Sequence, residues 1–107
     1  MVLDKCIEKE INGAMYKFCL PTKYLFKAER ETTRKSIILT MSDLPLNVED
    51  IFVLFKNSYL GGDNQYPSMD IDSLFYDAVD EMGLPAMQML VIDVLQKSGV
   101  FGKPKKE

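Results

Sequence analysis

The chain has 107 residues, of which 47% are hydrophobic and 27% charged, and 13 basic against 16 acidic residues give a net charge of −3. This length allows one domain with one modest core, and the charge balance argues against general nucleic-acid binding. Histidine is absent, which removes the commonest general base and the commonest metal ligand. We therefore expect a protein that is not an enzyme and that holds no cofactor or metal.

Hydropathy predicts no membrane segment. The longest apolar run, around Ile51 to Phe55, is far shorter than the roughly 20 residues of a transmembrane helix. No secretion signal is recognisable at the start of the sequence, so we expect a cytoplasmic location.

A β-hairpin is predicted for residues 3–20. Asn12-Gly13 separates two runs of strand-like spacing, and both residues tolerate the positive φ of a two-residue hairpin turn. An isolated hairpin is marginally stable, so one face should lie on helices. Apolar residues share a face on each strand: Leu3, Ile7 and Ile11 on the first, and Ala14, Tyr16 and Phe18 on the second.

Two cysteines flank this hairpin. Residues that pair across a turn at Asn12-Gly13 have numbers that add up to 25, as those of Cys6 and Cys19 do. The two thiols would then be neighbours, close enough for a disulfide. Because a cytoplasmic protein keeps its thiols reduced, we expect two half-buried, reduced cysteines.

Helical spacing of apolar residues predicts three to four helices after the hairpin, at about 22–35, 47–60, 68–82 and 85–98. Gly61-Gly62 and Gly83 are expected to end the second and third helices, and Pro85 suits the first turn of the last. The expected N-cap residues are Thr22, Asn47 and Ser68. The fold class is therefore α+β and mainly helical.

The segment from Ile37 to Thr40 has two interpretations. It fits a third strand beside the hairpin or a buried turn of helix, because periodicity cannot discriminate between them over so few residues. Neither interpretation changes the domain organisation. We expect a single domain over residues 1–101 and a disordered basic tail over 102–107.

Charged residues offer two weak alternatives to a plain solvated surface. Asp77 and Glu81 are four residues apart, a spacing that places two carboxylates on one helix face, as in carboxylate-bridged metal sites. Such sites normally add histidines, so a solvated acidic face is favoured. The mixed charges from Lys27 to Lys35 similarly favour a solvated helix face over a phosphate site.

Two helices carry more apolar residues than one face accommodates. A surface helix normally has an apolar stripe about 100° wide, and a domain of this size has little interior for the excess. A surface for a partner or for self-association would absorb it, with ordinary burial in the core as the alternative. The candidate residues for that surface are Ile51, Phe52, Phe55, Tyr59, Met87, Met89, Leu90 and Ile92.

The order of these features resembles a known family. An ING-Y segment (Ile11 to Gly13, then Tyr16) precedes a helix of mixed charge and a helix ending in YLGG. An S-x-x-D/E-like helix, a glycine corner and a last helix closing in SGVFG follow. This order, over nearly the whole chain, resembles tail assembly chaperones of long-tailed phages and prophages.

The resemblance implies a non-enzymatic protein that binds the tape measure protein and keeps it soluble while tail tube subunits polymerise around it. It also implies a homo-oligomer in the bacterial cytoplasm. The family often makes a longer product by a frameshift, and Pro104-Lys105-Lys106 could be encoded by a slippery A-AAA-AAG string that permits it. A structural phage component, such as a head-tail connector or tail protein, and a small protein-interaction adaptor domain are the alternatives.

Overall fold

The computed structural model describes residues 5–62, 64 and 70–100. Within these ranges an antiparallel two-stranded hairpin is followed by five helices, so the predicted α+β, mainly helical fold is confirmed. The elements are β1 Ile7–Ile11, β2 Ala14–Phe18, α1 Thr22–Glu31, α2 Ile37–Ser42, α3 Val48–Gly61, α4 Ile71–Met82 and α5 Leu84–Ser98. Leu3, Ser68 and the tail at 102–107, on which predictions were made, lie outside the described residues.

The hairpin has the predicted register. Ile7 pairs with Phe18 and Ile11 with Ala14, and the turn residues Asn12 and Gly13 have φ angles of 53° and 80°. The face that was expected to meet the helices does so, because Ile11, Tyr16 and Phe18 on it are all buried.

The segment whose structure was left open is helical. The hydroxyl of Ser36 accepts a hydrogen bond from the Leu39 N–H at 3.2 Å, and the carbonyl of Ser36 accepts one from Thr40 N–H at 3.0 Å. This N-cap starts α2, which supplies the fifth helix.

Two predicted N-cap residues were wrong. Pro21, without a side-chain hydrogen bond, occupies the N-cap position of α1, so Thr22 is the first helical residue rather than the cap. Helix α4 begins at Ile71 because the Asp70 carboxylate accepts hydrogen bonds from Asp72 N–H at 3.1 Å and from the Ser73 hydroxyl at 2.9 Å. One predicted end was also wrong, since α1 stops at residue 31 rather than 35.

The other helix boundaries agree with the sequence. Asn47 caps α3 by accepting from Asp50 N–H at 2.8 Å, and α3 ends at Gly61 with Gly62 as C-cap. Gly83 joins α4 to α5 with a φ of 86°, a conformation that L residues rarely adopt, and Pro85 lies in the first turn of α5.

Helix α3 is the centre of the core and packs against β2, α1, α4 and α5. Aromatic rings on α3 join the hairpin to α4: the ring centroid of Phe55 lies 5.0 Å from that of Phe18 and 5.3 Å from that of Phe75. The ring centroid of Tyr59, also on α3, lies 5.9 Å from that of Tyr16 on the hairpin. Because α3 has neighbours on several sides, it needs apolar residues around most of its circumference.

The last turn of α3 approaches the backbone of β2 very closely. Cys19 N–H donates to the Ser58 carbonyl at 2.9 Å. A Cβ at Gly61 would lie 2.2 Å from the Cys19 carbonyl oxygen, and a Cβ at Gly62 would lie 2.1 Å from that of Lys17. The two glycines therefore do more than end the helix, since they let helix and strand meet without an intervening side chain.

The hairpin turn is bound to α4. The Asn12 side-chain amide donates to the Asp77 carboxylate at 3.0 Å, and the Asn12 backbone N–H donates to the Glu81 carboxylate at 2.9 Å. The i,i+4 carboxylate pair noted in the sequence thus accepts hydrogen bonds from the hairpin turn. Its spacing matters because both carboxylates must reach one residue.

Candidate protein-interaction surface

The residues predicted to form a partner surface lie mostly in the core. Met89 is 53% exposed and Phe52 is partly buried against the core. The remaining candidates, Ile51, Phe55, Tyr59, Met87, Leu90 and Ile92, are buried by other parts of the same chain. The structure therefore does not bring the eight candidates together on one accessible face.

A different segment exposes apolar side chains. Ile38, Leu39, Leu44 and Val48 lie within residues 38–48, and each has between 48% and 70% of its surface exposed. We call these four residues the α2 patch. Other exposed apolar residues in the described ranges, Met15, Phe26, Tyr76 and Met89, are each on a different element. Single exposed apolar residues scattered over a surface are normal, so four of them within residues 38–48 are a notable concentration along the sequence.

Helix α2 exposes two residues of this patch, Ile38 and Leu39, because it has apolar residues on two faces. Ile37 and Thr40 are buried, which fixes the inner face, and Ile38 and Leu39 consequently point outward. The start of the helix is tied to α1, since the Ile37 N–H donates to the Glu29 carboxylate at 3.0 Å. The Thr40 hydroxyl donates to the Ser36 carbonyl at 2.6 Å, so this buried polar side chain on the inner face has a hydrogen-bond partner.

The segments on both sides of α2 are held by side chains of the core helices. The buried carboxylate of Asp50 accepts hydrogen bonds from the Thr33 N–H at 2.8 Å and the Thr33 hydroxyl at 3.0 Å. The Leu46 N–H donates to the Gln88 side-chain carbonyl at 2.6 Å. The α2 patch is thus presented by a segment fixed before and after the helix, which lowers the entropy lost on binding.

Charged groups border the patch. Arg34, before α2, forms a salt bridge with Asp43, the C-cap of α2, and both side chains are about half exposed or more. An apolar centre with a polar rim is the usual anatomy of a protein interface.

Two titratable groups in the described ranges have clearly shifted pKa values. The Asn57 amide donates to the Glu31 carboxylate at 2.9 Å and, together with the Lys56 ammonium at 3.4 Å, lowers the pKa of Glu31 below its ordinary value of 4.5. Burial raises the pKa of the Tyr59 hydroxyl above 10.0. Glu31 lies at the α1–α3 contact and Tyr59 in the core, and neither shift prepares a group for proton transfer near neutral pH.

The described residues also form a groove. It has a volume of about 360 Å³ and is lined by Lys5, Cys19, Leu20, Leu25 and Val100 among others. Among the described residues, no group of three or more Cys, Asp or Glu side chains is arranged to hold a metal ion. None of the helices in the described ranges has the length and apolarity needed to cross a membrane.

The sequence did contain a signal for the α2 patch. Ser36 is a favourable N-cap, and a helix started there has Ile37 and Thr40 on one face and Ile38 on another. Because Ile37 to Thr40 was open between strand and helix, this outward face was not identified. Leu44 lies between α2 and α3, and Val48 is the first residue of α3. No sequence signal indicates whether these two side chains are exposed or buried.

Comparison of the chain with protein-family models, with curated proteins and with solved structures gives no match.

Proposed function

We propose that this protein is a non-enzymatic tail assembly chaperone that uses the α2 patch to cover apolar segments of a tape measure protein in the bacterial cytoplasm. The observation that carries the proposal is the concentration of exposed apolar side chains on a segment fixed to the core at both ends. The order of sequence features that resembles the chaperone family supports the same function.

The size of the α2 patch suits weak, repeated contacts. Four apolar side chains bury far less than the surface of a stable protein complex, so one copy would bind a helical ligand weakly. Many copies that cover a long ligand, or a homo-oligomer that presents several patches, would bind strongly through avidity. Weak individual contacts also allow the chaperone to leave when tube subunits arrive.

The test is coexpression with the tape measure protein encoded by the same genome. Ile38→Glu/Leu39→Glu places two charges in the centre of the patch, and we expect at least a tenfold loss of soluble, copurifying tape measure protein. Phe26→Glu is the matched control, because Phe26 is similarly exposed on α1, and it should leave binding unchanged. Circular dichroism and the melting temperature of both variants should match those of the native chain, since all three side chains are exposed.

The possible outcomes test separately whether the protein is a chaperone and whether the α2 patch is its binding surface. If the native chain neither binds nor solubilises the tape measure protein, the chaperone function is refuted. If the native chain binds and the charged α2 variant binds equally well, the function stands and the α2 patch is not the surface. Presence of the protein in purified particles at ring stoichiometry would favour a structural phage component instead.

A further inference from the structure

The cysteines of the hairpin lie one residue beyond the last assigned pair of the ladder. Ile7 pairs with Phe18 at the open end of the hairpin. One further step in the same register brings Cys6 opposite Cys19. Both cysteines are half-buried.

The hydrogen bonds of β2 show which kind of pair this is. The Lys17 N–H and carbonyl both bond to the Asn64 side chain at 2.8 Å, away from β1, and the Cys19 N–H bonds to Ser58 at 2.9 Å. In an antiparallel ladder, residues whose backbone groups point away from the partner strand form the non-hydrogen-bonded pairs. Continuation of the ladder by one residue therefore places Cys6 and Cys19 in a non-hydrogen-bonded position, where the Cα atoms are about 4.5 Å apart and the side chains closest.

This geometry meets the requirements of a disulfide. The expected Cα separation falls within the range of about 4.4–6.8 Å found for disulfides. Alternation along the strands, continued by one residue from Ile7 and Phe18, places both side chains on the face opposite Phe18, so a cross-link should not disturb the packing of the aromatic rings. Cys19, which is partly exposed, also lines the groove of about 360 Å³ together with Lys5.

We propose that Cys6 and Cys19 form a reversible thiol–disulfide modification site that is oxidised by low-molecular-weight disulfides such as oxidised glutathione. One cysteine thiolate attacks a glutathione sulfur and releases one reduced glutathione. The other thiolate then attacks the protein sulfur of the mixed disulfide and releases the second. Two electrons pass from the protein dithiol to oxidised glutathione, and the two thiol protons end on the released glutathione thiols.

The cross-link closes the open end of the hairpin. The Asn12-Gly13 turn already joins the strands at the other end, so oxidation fixes both ends of a two-stranded sheet. Because the bond restricts residues 6–19 in the unfolded chain, oxidation should raise the melting temperature by about 10 °C.

The experiment is a glutathione redox titration of the 107-residue protein, followed by acid quenching, alkylation and intact mass spectrometry. We expect a monomer that has lost two hydrogens, carries no alkyl group or glutathione and melts about 10 °C above the reduced form. The Cys6→Ser/Cys19→Ser variant should show no change between the two conditions. Glutathione on both cysteines, or disulfide-linked dimers at the same redox ratio, would overturn the proposal.

Two designed pairs test whether the register is responsible. Glu8→Cys/Lys17→Cys in the serine background places cysteines at an assigned pair of the same phase, and it should oxidise like the native chain. If only this designed pair oxidises, the ladder does not extend to the native cysteines and the proposal fails. Lys17→Cys/Cys19→Ser leaves a diagonal pair with Cys6 at about 7–8 Å, and it should need at least a tenfold more oxidising ratio.

Discussion

Replacement of Gly62 by alanine tests the close approach of α3 to the hairpin. Gly62 has a φ of −80° and a ψ of −5°, which alanine adopts without strain, so only the surroundings can require glycine. The new Cβ would lie 2.1 Å from the Lys17 carbonyl oxygen and 2.7 Å from its carbon, whereas ordinary contacts are 3.4–4 Å. The backbone of β2 must therefore move away by roughly 1 Å or more, as such a contact cannot be tolerated.

That movement is costly because both backbone polar groups of Lys17 are hydrogen-bonded. Its N–H and carbonyl each bond to Asn64 at 2.8 Å, and Asn64 also donates to the Tyr59 carbonyl at 3.0 Å. Overpacking costs about 1–3 kcal/mol, and loss of one of these hydrogen bonds adds about 1 kcal/mol. We expect Gly62→Ala to lower the free energy of unfolding by about 3 kcal/mol and the melting temperature by at least about 12 °C.

Urea denaturation followed by circular dichroism measures this difference, with Gly99→Ala as the matched control. Gly99 has a φ of 85°, and a Cβ added there would meet no heavy atom within 4 Å, so alanine should cost only about 1 kcal/mol of backbone strain. If Gly62→Ala destabilises the protein no more than Gly99→Ala, the helix and strand do not meet as closely as described.

Three further changes test contacts that position the elements. Asp50→Ala should lower the free energy of unfolding by about 2 kcal/mol, because Thr33 loses the acceptor of two hydrogen bonds, and chemical denaturation will measure it. Asn12→Gly keeps the positive φ of the turn but loses the hydrogen bond to Asp77. We therefore expect the free energy of unfolding to fall by about 1 kcal/mol, and an unchanged stability would contradict this. The lowered pKa of Glu31 means that its contribution is complete above about pH 4.5 and is lost as pH falls through the lower, folded-state pKa. Melting temperatures between about pH 6 and pH 3 should therefore fall less for Glu31→Gln than for the native chain.

The hairpin and the main helices could be predicted because their signals are local. Asn12-Gly13 fixes a two-residue turn and hence the whole register, and Asn47 starts α3 by a bond to a residue three positions away. The start of α4 was missed because Asp70, two residues after Ser68, provides a cap of its own.

The location of the exposed apolar residues could not be predicted from the same local patterns. Whether Phe55 or Leu39 is covered depends on which elements surround α3, and that arrangement is set by contacts between distant parts of the chain. The excess of apolar residues on α3 reflects its central position, since β2, α1, α4 and α5 all pack on it. Periodicity describes one helix at a time and does not count its neighbours.

The binding of the hairpin turn to α4 also has a consequence for synthesis. Asn12 is separated from Asp77 and Glu81 by 65 and 69 residues, which a ribosome translating 5–20 residues per second adds in roughly 3–14 s. A two-stranded hairpin is marginal on its own, and β1, which carries the buried Ile11, packs on α4 and α5, so Ile11 lacks this cover during the interval. We expect nascent chains arrested before residue 77 to be cleaved readily by protease in the hairpin, and native-like resistance to appear only after α4 has emerged.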